Sequence, residues 1–296
     1  MAHELSVESV QESWRAIESP RRQILRRLSR NRAAMIGGSL IATFVVCAVL
    51  APVIEPHDPI TQNLSVALQG PSTTYLLGTD ELGRDILSRL LAGARVSLAI
   101  TGSAVGLALL GGTAIGITSG YFGGWVDSVL MRTMDVLLAI PGILLAITVI
   151  AILGLGLESL IIAIGVSSIP TFARLARSTT LASRHQEYVL AATTLGATNR
   201  RIMIQHILPN IVAPLIVQTS LRLGTAVLTA SGLSFLGLGP QPPTPEWGAM
   251  LATGRSYLTS SPHVAVSPGV AIMLVVFGFN LLGDGLRDAL NPRMKT

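Results

Sequence analysis

Residues able to do chemistry gather in three places in this sequence. The first is Thr79-Asp80-Glu81-Leu82-Gly83-Arg84-Asp85, with Arg89 following. Acids and bases at this density would suit proton transfer. A nucleophile set also needs a histidine or cysteine beside them, and the sequence places none nearby. Asp85 and Arg89 stand at i, i+4, the spacing of an ion pair on a helix. The second place is the segment 174–208. It carries five arginines, then Glu187 and Tyr188, the small residues Ala191, Ala192, Gly196 and Ala197, and the pair Leu208-Pro209. Tyr188, Ala191, Ala192 and Leu195 follow i, i+3, i+4, i+7, one face of a helix. Small residues on an exposed helix admit close approach of another protein's groove. Gly196 suits the turn that ends the helix, and Pro209 is expected to break the short helix that follows. The third place is Arg222, an isolated cation within a long apolar run. His57, His185 and His206 stand singly and Cys47 is the sole cysteine, so no metal site and no internal disulfide are expected. No Gly-x-x-x-x-Gly-Lys-Ser/Thr phosphate loop occurs, so nucleotide is expected to bind elsewhere.

The elements that position these residues follow from composition. Half of the 296 residues are apolar, 12% are charged and mean hydropathy is +0.59. Such a balance excludes a disordered chain and argues against an ordinary soluble domain. Aromatics at 4% are too few for the girdles of an outer-membrane barrel. The apolar residues come as long runs, and about 20 such residues span a bilayer as helix. Six spans are expected: Ala33–Ile54, one within Val96–Val126, Met134–Leu157, Ser159–Ala173, Asn210–Gly239 and Val264–Gly283. Spans two, four and five are rich in glycine and serine, which suits close helix packing in lipid.

Six spans place the first 33 residues, Arg132, the segment 174–208 and the tail on one side. That side then holds 16 of the 21 basic residues, so both termini are expected in the cytoplasm. Seven acids fall opposite: Glu55, Asp58, Asp80, Glu81, Asp85, Glu158 and Glu246. The first apolar run is too long for a signal h-region and is expected to stay as an anchor. The basic pI is explained by arginines flanking spans, which suits anionic lipid and not nucleic acid.

The organisation expected is a cytoplasmic tail over 1–33, a first span over 34–54, an extracytoplasmic loop over 55–95 and a five-span core over 96–296. Within the tail, Ser19–Leu28 reads as an amphipathic elbow helix in the lipid interface. Within the loop, Thr79 or Asp80 is expected to cap an interfacial helix with Leu82, Ile86 and Leu90 on one face. The core is expected to carry an extracytoplasmic loop over 240–263, where Trp247 and Tyr257 suit interface anchors. Pro141 and Pro170 are expected to kink their spans. Asp135, three residues from Arg132, suits a structural pair at the cytoplasmic boundary. Arg222 lies about 12 residues into span five. A charge there is costly and faces the bundle interior or a cavity, either as a structural partner or in a translocation path.

At the segment 174–208 the sequence resembles a known family. Ala191-Ala192, three residues, Gly196, then Leu208-Pro209 is similar to the signature loop of ABC importer permeases, Glu-Ala-Ala, three residues, Gly, nine residues, Ile, one residue, Leu-Pro. Leu190 replaces the Glu and His206 the Ile, departures that peptide-type permeases often share. Leu77 through Leu98 and Leu233 through Leu251 resemble two further blocks of the "C" permeases of dipeptide and oligopeptide transporters. The likeness runs from about Arg26 to Arg293. Many relatives carry a Glu in span five, where Ala230 stands here, which puts transfer of a detailed substrate path in doubt.

The resemblance implies an all-α, six-span type I importer permease without a catalytic site of its own. It implies a related permease as pore partner, two cytoplasmic ATPases that carry ATP and Mg, and an extracytoplasmic solute-binding protein. It makes Glu187, Tyr188, Ala191, Ala192, Gly196, Ala197, Leu208 and Pro209 the ATPase-coupling loop. Peptide is the solute class implied, with nickel or another small solute as alternative. A stand-alone carrier or channel would show inverted repeats or paired ion ligands, and an intramembrane enzyme would show facing catalytic residues at depth. Neither pattern is visible.

Overall fold

The computed structural model describes Arg26 and residues 28–290. The stretch read as an elbow lies outside these residues except for Arg26 and Leu28. The described chain is helical: α1 (Arg32–Ile54), α2 (Ile86–Phe122), α3 (Gly124–Ala139), α4 (Gly142–Leu153), α5 (Leu157–Arg184), α6 (Glu187–Thr194), α7 (Leu208–Phe235), α8 (Trp247–Gly254) and α9 (His263–Leu290). Five helical segments are long and apolar enough to cross a bilayer, and α3 with α4 makes a sixth, bent by 94°. The third span bends at Pro141, where a kink was expected, but by enough to part it into two helices, and it begins at Gly124, ten residues before the expected Met134. Ile140 is extended (φ −92°, ψ 128°), as a residue before proline prefers, and Pro141 restarts the chain in a new direction. Pro170, by contrast, sits inside a continuous α5.

Several helices outrun their apolar runs, because charged residues at a membrane boundary still form good helix. Arg174 and Arg177, read from sequence as loop residues, lie on α5. The helix before α7 does not break at Pro209. Asn199–Arg201 leads into π-helical Ile202–Ile207 and then directly into α7. Proline has no N–H for the carbonyl four residues back. The chain passes Pro209 through a π turn, in which the Leu208 N–H bonds Met203 O, and just beyond it Asn210 Nδ2 donates to His206 O at 2.6 Å.

The start of span two also differs from expectation. No separate interfacial helix begins at Thr79 or Asp80. Those residues form a compact turn closed by a bridge between Thr79 and Asp85, and Asp85 caps α2 by accepting from Ser88 N.

The bundle is built on α2 against α5. Gly112, Gly116 and Gly120 recur every fourth residue along α2. A Cβ at Gly116 would lie 2.4 Å from Ala173 O and one at Gly112 2.5 Å from Phe172 Cβ. Only glycine permits this backbone approach, the general device of packed membrane helices. Around the pair, Ile100, Leu160, Phe172, Ile207, Ile211 and Leu233 are fully buried. A second cluster joins α1, α8 and α9 through Ile41, Val275, Phe279 and Trp247. Val45, Val49 and Val53 on α1 stay exposed, as a lipid-facing helix requires.

Candidate functional site

One end of the bundle presents the segment between α5 and α7. Helix α6 ends in a Schellman turn: Gly196 N donates to Thr193 O (3.0 Å) and Ala197 N to Ala192 O (3.1 Å). Gly196 holds φ +80°, a conformation that costs an L side chain about 1–2 kcal/mol. Val189 and Ala192 face inward, while Ala191 is exposed. The four-residue face expected from spacing is therefore split, because adjacent positions on a helix lie about 100° apart. Tyr188 (41% exposed), Leu190 (54%) and Leu195 (87%) point outward with no apolar cover. Leu190, the departure from the signature, thus adds an exposed apolar side chain on the other flank of Val189 from Tyr188.

Both ends of this segment are tied to α2. Arg184 Nη1 donates to Gly120 O (3.1 Å) and Tyr121 O (3.3 Å). Tyr121 Oη donates to Asn199 Oδ1 at 2.9 Å. Beneath it, Arg177 makes a bidentate pair with Asp127 at 2.5 and 2.6 Å, and Ser119 also bonds Asp127. Ile202 and Ile207 are fully buried in the main core. The segment carrying α6 is thereby fastened to α2 on both sides, and the Arg177–Asp127 pair fastens α5 to α3. Sequence reading missed Tyr121, Asp127 and Asn199, because the ties join residues 50–78 positions apart.

A second feature runs along the facing sides of α5 and α7. Ser167, Thr171, Arg174 and Ser178 recur at helical spacing on α5, and Gln218, Arg222, Thr225 and Thr229 do so on α7. None of the eight is buried. Arg222 Nη2 donates to Thr171 Oγ1 at 2.6 Å, the contact that joins the two rows. Asp135 pairs with Arg174 at 2.6 Å, across helices and not with its neighbour Arg132, and both groups are exposed. One turn from Arg222, Gln218 borders a cavity of about 460 Å³ that also takes in Leu175, Pro214 and Arg287. The polar spacing along two apolar spans was the signal available in the sequence for this track.

At the opposite end, the acids of the loop are structural. Asp80 accepts from Arg84 Nε (2.7 Å), lies 3.3 Å from Arg89 Nε, and accepts from the Leu82 and Arg84 N–H groups. Arg89 thus pairs with Asp80 instead of Asp85, since Asp85 is committed to capping α2. The fold brings His57 to 3.5 Å from Asp85, a histidine that linear proximity did not reveal. Ser88 Oγ is fully buried, donates to Asp85 Oδ2 (2.6 Å) and accepts from the His57 N–H (3.0 Å). The Ser88 hydroxyl directs its hydrogen bond to the carboxylate and not to an imidazole, so the trio ties the loop to α2. Trp247 is fully buried, edge-on to Phe44, with Nε1 donating to Leu90 O. It anchors α8 inside the bundle and not at a lipid interface. Glu246 caps α8 through Ala249 N (2.9 Å) and accepts from Ser97 Oγ (3.2 Å). Burial pushes its carboxyl above the ordinary range, against the lowering effect of its hydrogen bonds.

Six apolar spans, a packed helix–glycine core and an anchored helix projecting from one end define a polytopic membrane transport subunit. Residues 112–296 match the binding-protein-dependent transport system inner membrane component, and residues 19–71 match the N-terminal TM domain of oligopeptide transport permease C. The chain is 47% identical over 278 residues to the dipeptide transport system permease protein DppC of Alkalihalophilus pseudofirmus, covering 94% of this chain and 91% of that one. It is 44% identical over 283 residues to the glutathione transport system permease protein GsiD of Pectobacterium atrosepticum, covering 95% and 94%. A chain of the inward-facing MetNI methionine ABC transporter has the same fold, with TM-score 0.54 at 20% identity over 69% of this chain and 96% of that one. The chain belongs to the binding-protein-dependent transport inner-membrane family: it is a multi-pass ABC importer permease subunit of the cell membrane. Membership implies work with an ATPase and a solute-binding protein.

Proposed function

We propose that this chain forms half of the pathway of a dipeptide or oligopeptide importer, paired with a paralogous permease and driven by two cytoplasmic ATPases. The chain itself carries no catalytic site and holds no ATP; nucleotide and Mg reside on the ATPases. The segment Glu187–Pro209 is the coupling loop. The observation that carries this reading is the exposure of three apolar side chains around α6, Tyr188 and Leu195 on one flank of the buried Val189 and Leu190 on the other, in a segment tied at both ends to the bundle. An apolar surface on a rigid mount suits a groove on a moving partner. Closure of the ATPases around nucleotide would push α6. Its ties to α2 and α5 would carry the push into the spans as a rigid-body shift between inward- and outward-open states. The track with Arg222 lines the pathway, since polar side chains on membrane helices face protein or water and not lipid.

The test is purification of the tagged chain in mild detergent with mass spectrometry of its companions. A second six-span permease together with ATPases is the expected result. A homo-oligomer free of any ATPase would overturn the reading. Uptake by the reconstituted complex then separates peptides from nickel and other small solutes.

A further inference from the structure

We infer that Arg222 is the recognition site for the solute's carboxylate at mid-membrane, so that the pathway selects peptides with a free C-terminus. This assignment rests on the peptide-importer reading and adds a chemical group to it. Arg222 lies 14 residues from Leu208 and 13 from Phe235. At about 1.5 Å per residue, that is roughly 20 Å from either end of α7. A charge so placed is retained only where it has a partner or water. Among the described residues its partner is the neutral Thr171 hydroxyl, and no carboxylate lies within ion-pair distance. Asp135 of α3, the acid that meets the α5 row, is already held by Arg174 at 2.6 Å. One N–H of the guanidinium is used, and the rest of its planar fork is unfilled, the geometry that takes a carboxylate in a bidentate grip.

The surroundings suit an oligopeptide backbone. Thr171 sets a hydroxyl against the guanidinium, and Thr225 and Thr229 follow Arg222 at helical spacing along α7, their hydroxyls donating to Arg222 O and Thr225 O. Beyond Gln218 the cavity of about 460 Å³ leads toward Arg287, a second cation in the direction of the coupling end. Thr171 makes a weak neutral partner that a carboxylate displaces readily, since hydrogen bonds between charged groups are about twice as strong.

The test uses the full transporter with its binding protein in proteoliposomes. Uptake of one tripeptide is compared with uptake of the same tripeptide amidated at its C-terminus, for the unaltered complex, R222Q and R222K. Each variant is expressed as a ratio to the unaltered complex for the same peptide, which cancels discrimination by the binding protein. R222Q is expected to lose about tenfold or more on the free acid and to change little on the amide. R222K, with charge but no fork, should fall between. Parallel loss on both peptides in both variants would overturn the assignment and make Arg222 a structural residue, for instance one held by an acid of the partner permease. Unchanged uptake of the free acid by R222Q would also overturn it. Failure of the unaltered complex to take up either peptide would overturn the peptide reading itself, and this assignment with it.

Discussion

Gly196 offers the sharpest test of coupling, because its conformation and its surroundings make separate demands. Its φ of +80° closes the Schellman turn that ends α6. A Cβ added there meets nothing within 4 Å in this chain. A substitution therefore acts through backbone strain or through contact with a partner, and not through packing in this bundle. An L side chain in this region costs about 1–2 kcal/mol, which lowers the population of the turn about 5- to 30-fold. Asparagine enters the left-handed region far more readily than a β-branched residue. If the turn's shape is what matters, transport per ATP hydrolysed should fall in the order Gly, Asn, Ala, Val. The assay is ATPase rate and peptide uptake measured together on reconstituted complex. Gly196→Val should retain the thermal midpoint of the spans while hydrolysis loses its link to uptake. Full coupling in Gly196→Val would refute a role for the turn. An Asn variant as impaired as Val would refute the conformational argument and point to steric contact with the ATPase.

Other perturbations follow from the same contacts. Gly116→Val should cost about 1–3 kcal/mol, seen as a lower thermal midpoint in detergent, because its Cβ falls 2.4 Å from Ala173 O; Gly106→Ala, with nothing within 4 Å, should be neutral. An unchanged midpoint for Gly116→Val would contradict the α2–α5 approach. Asp127→Asn should lower stability by about 1 kcal/mol or less, the pair with Arg177 being partly solvated, and should reduce uptake more than hydrolysis if the tie transmits motion. Glu246 has a carboxyl raised by burial, so the fold holds its proton more tightly than the unfolded chain does. That preference carries no penalty below the ordinary carboxylate range, and stability then declines as pH rises from that range through the raised value. Glu246→Gln keeps an acceptor for Ala249 N, and should flatten this decline in thermal midpoints measured from acid to neutral pH.

Much of the membrane character was legible in the sequence because it depends on local composition. Runs of apolar residues near bilayer length locate the spans wherever they fall in the fold. The placement of arginines orders the loops, and Gly196 after a small-residue helix marks a turn that backbone sterics alone require. The glycine and serine content of span two announces close helix packing, although not which helix fills it.

Tertiary structure decided what joins residues far apart. Tyr188 and Ala192 share a helical spacing, yet only packing against the core turned Ala192 inward and left Tyr188 out. Asp85 and Arg89 have the spacing of an ion pair, but the cap on α2 claimed Asp85 and left Arg89 to Asp80. Trp247 reads as an interface anchor until α1 and α2 close over it. Pro209 reads as a break until a π turn carries the helix directly into α7. Arg222 has no partner in its own span; Thr171, 51 residues earlier, supplies one. A span's existence depends on the side chains within it, so sequence determines it. The partner of a polar group inside the bundle depends on which helices meet, and only the folded chain supplies that.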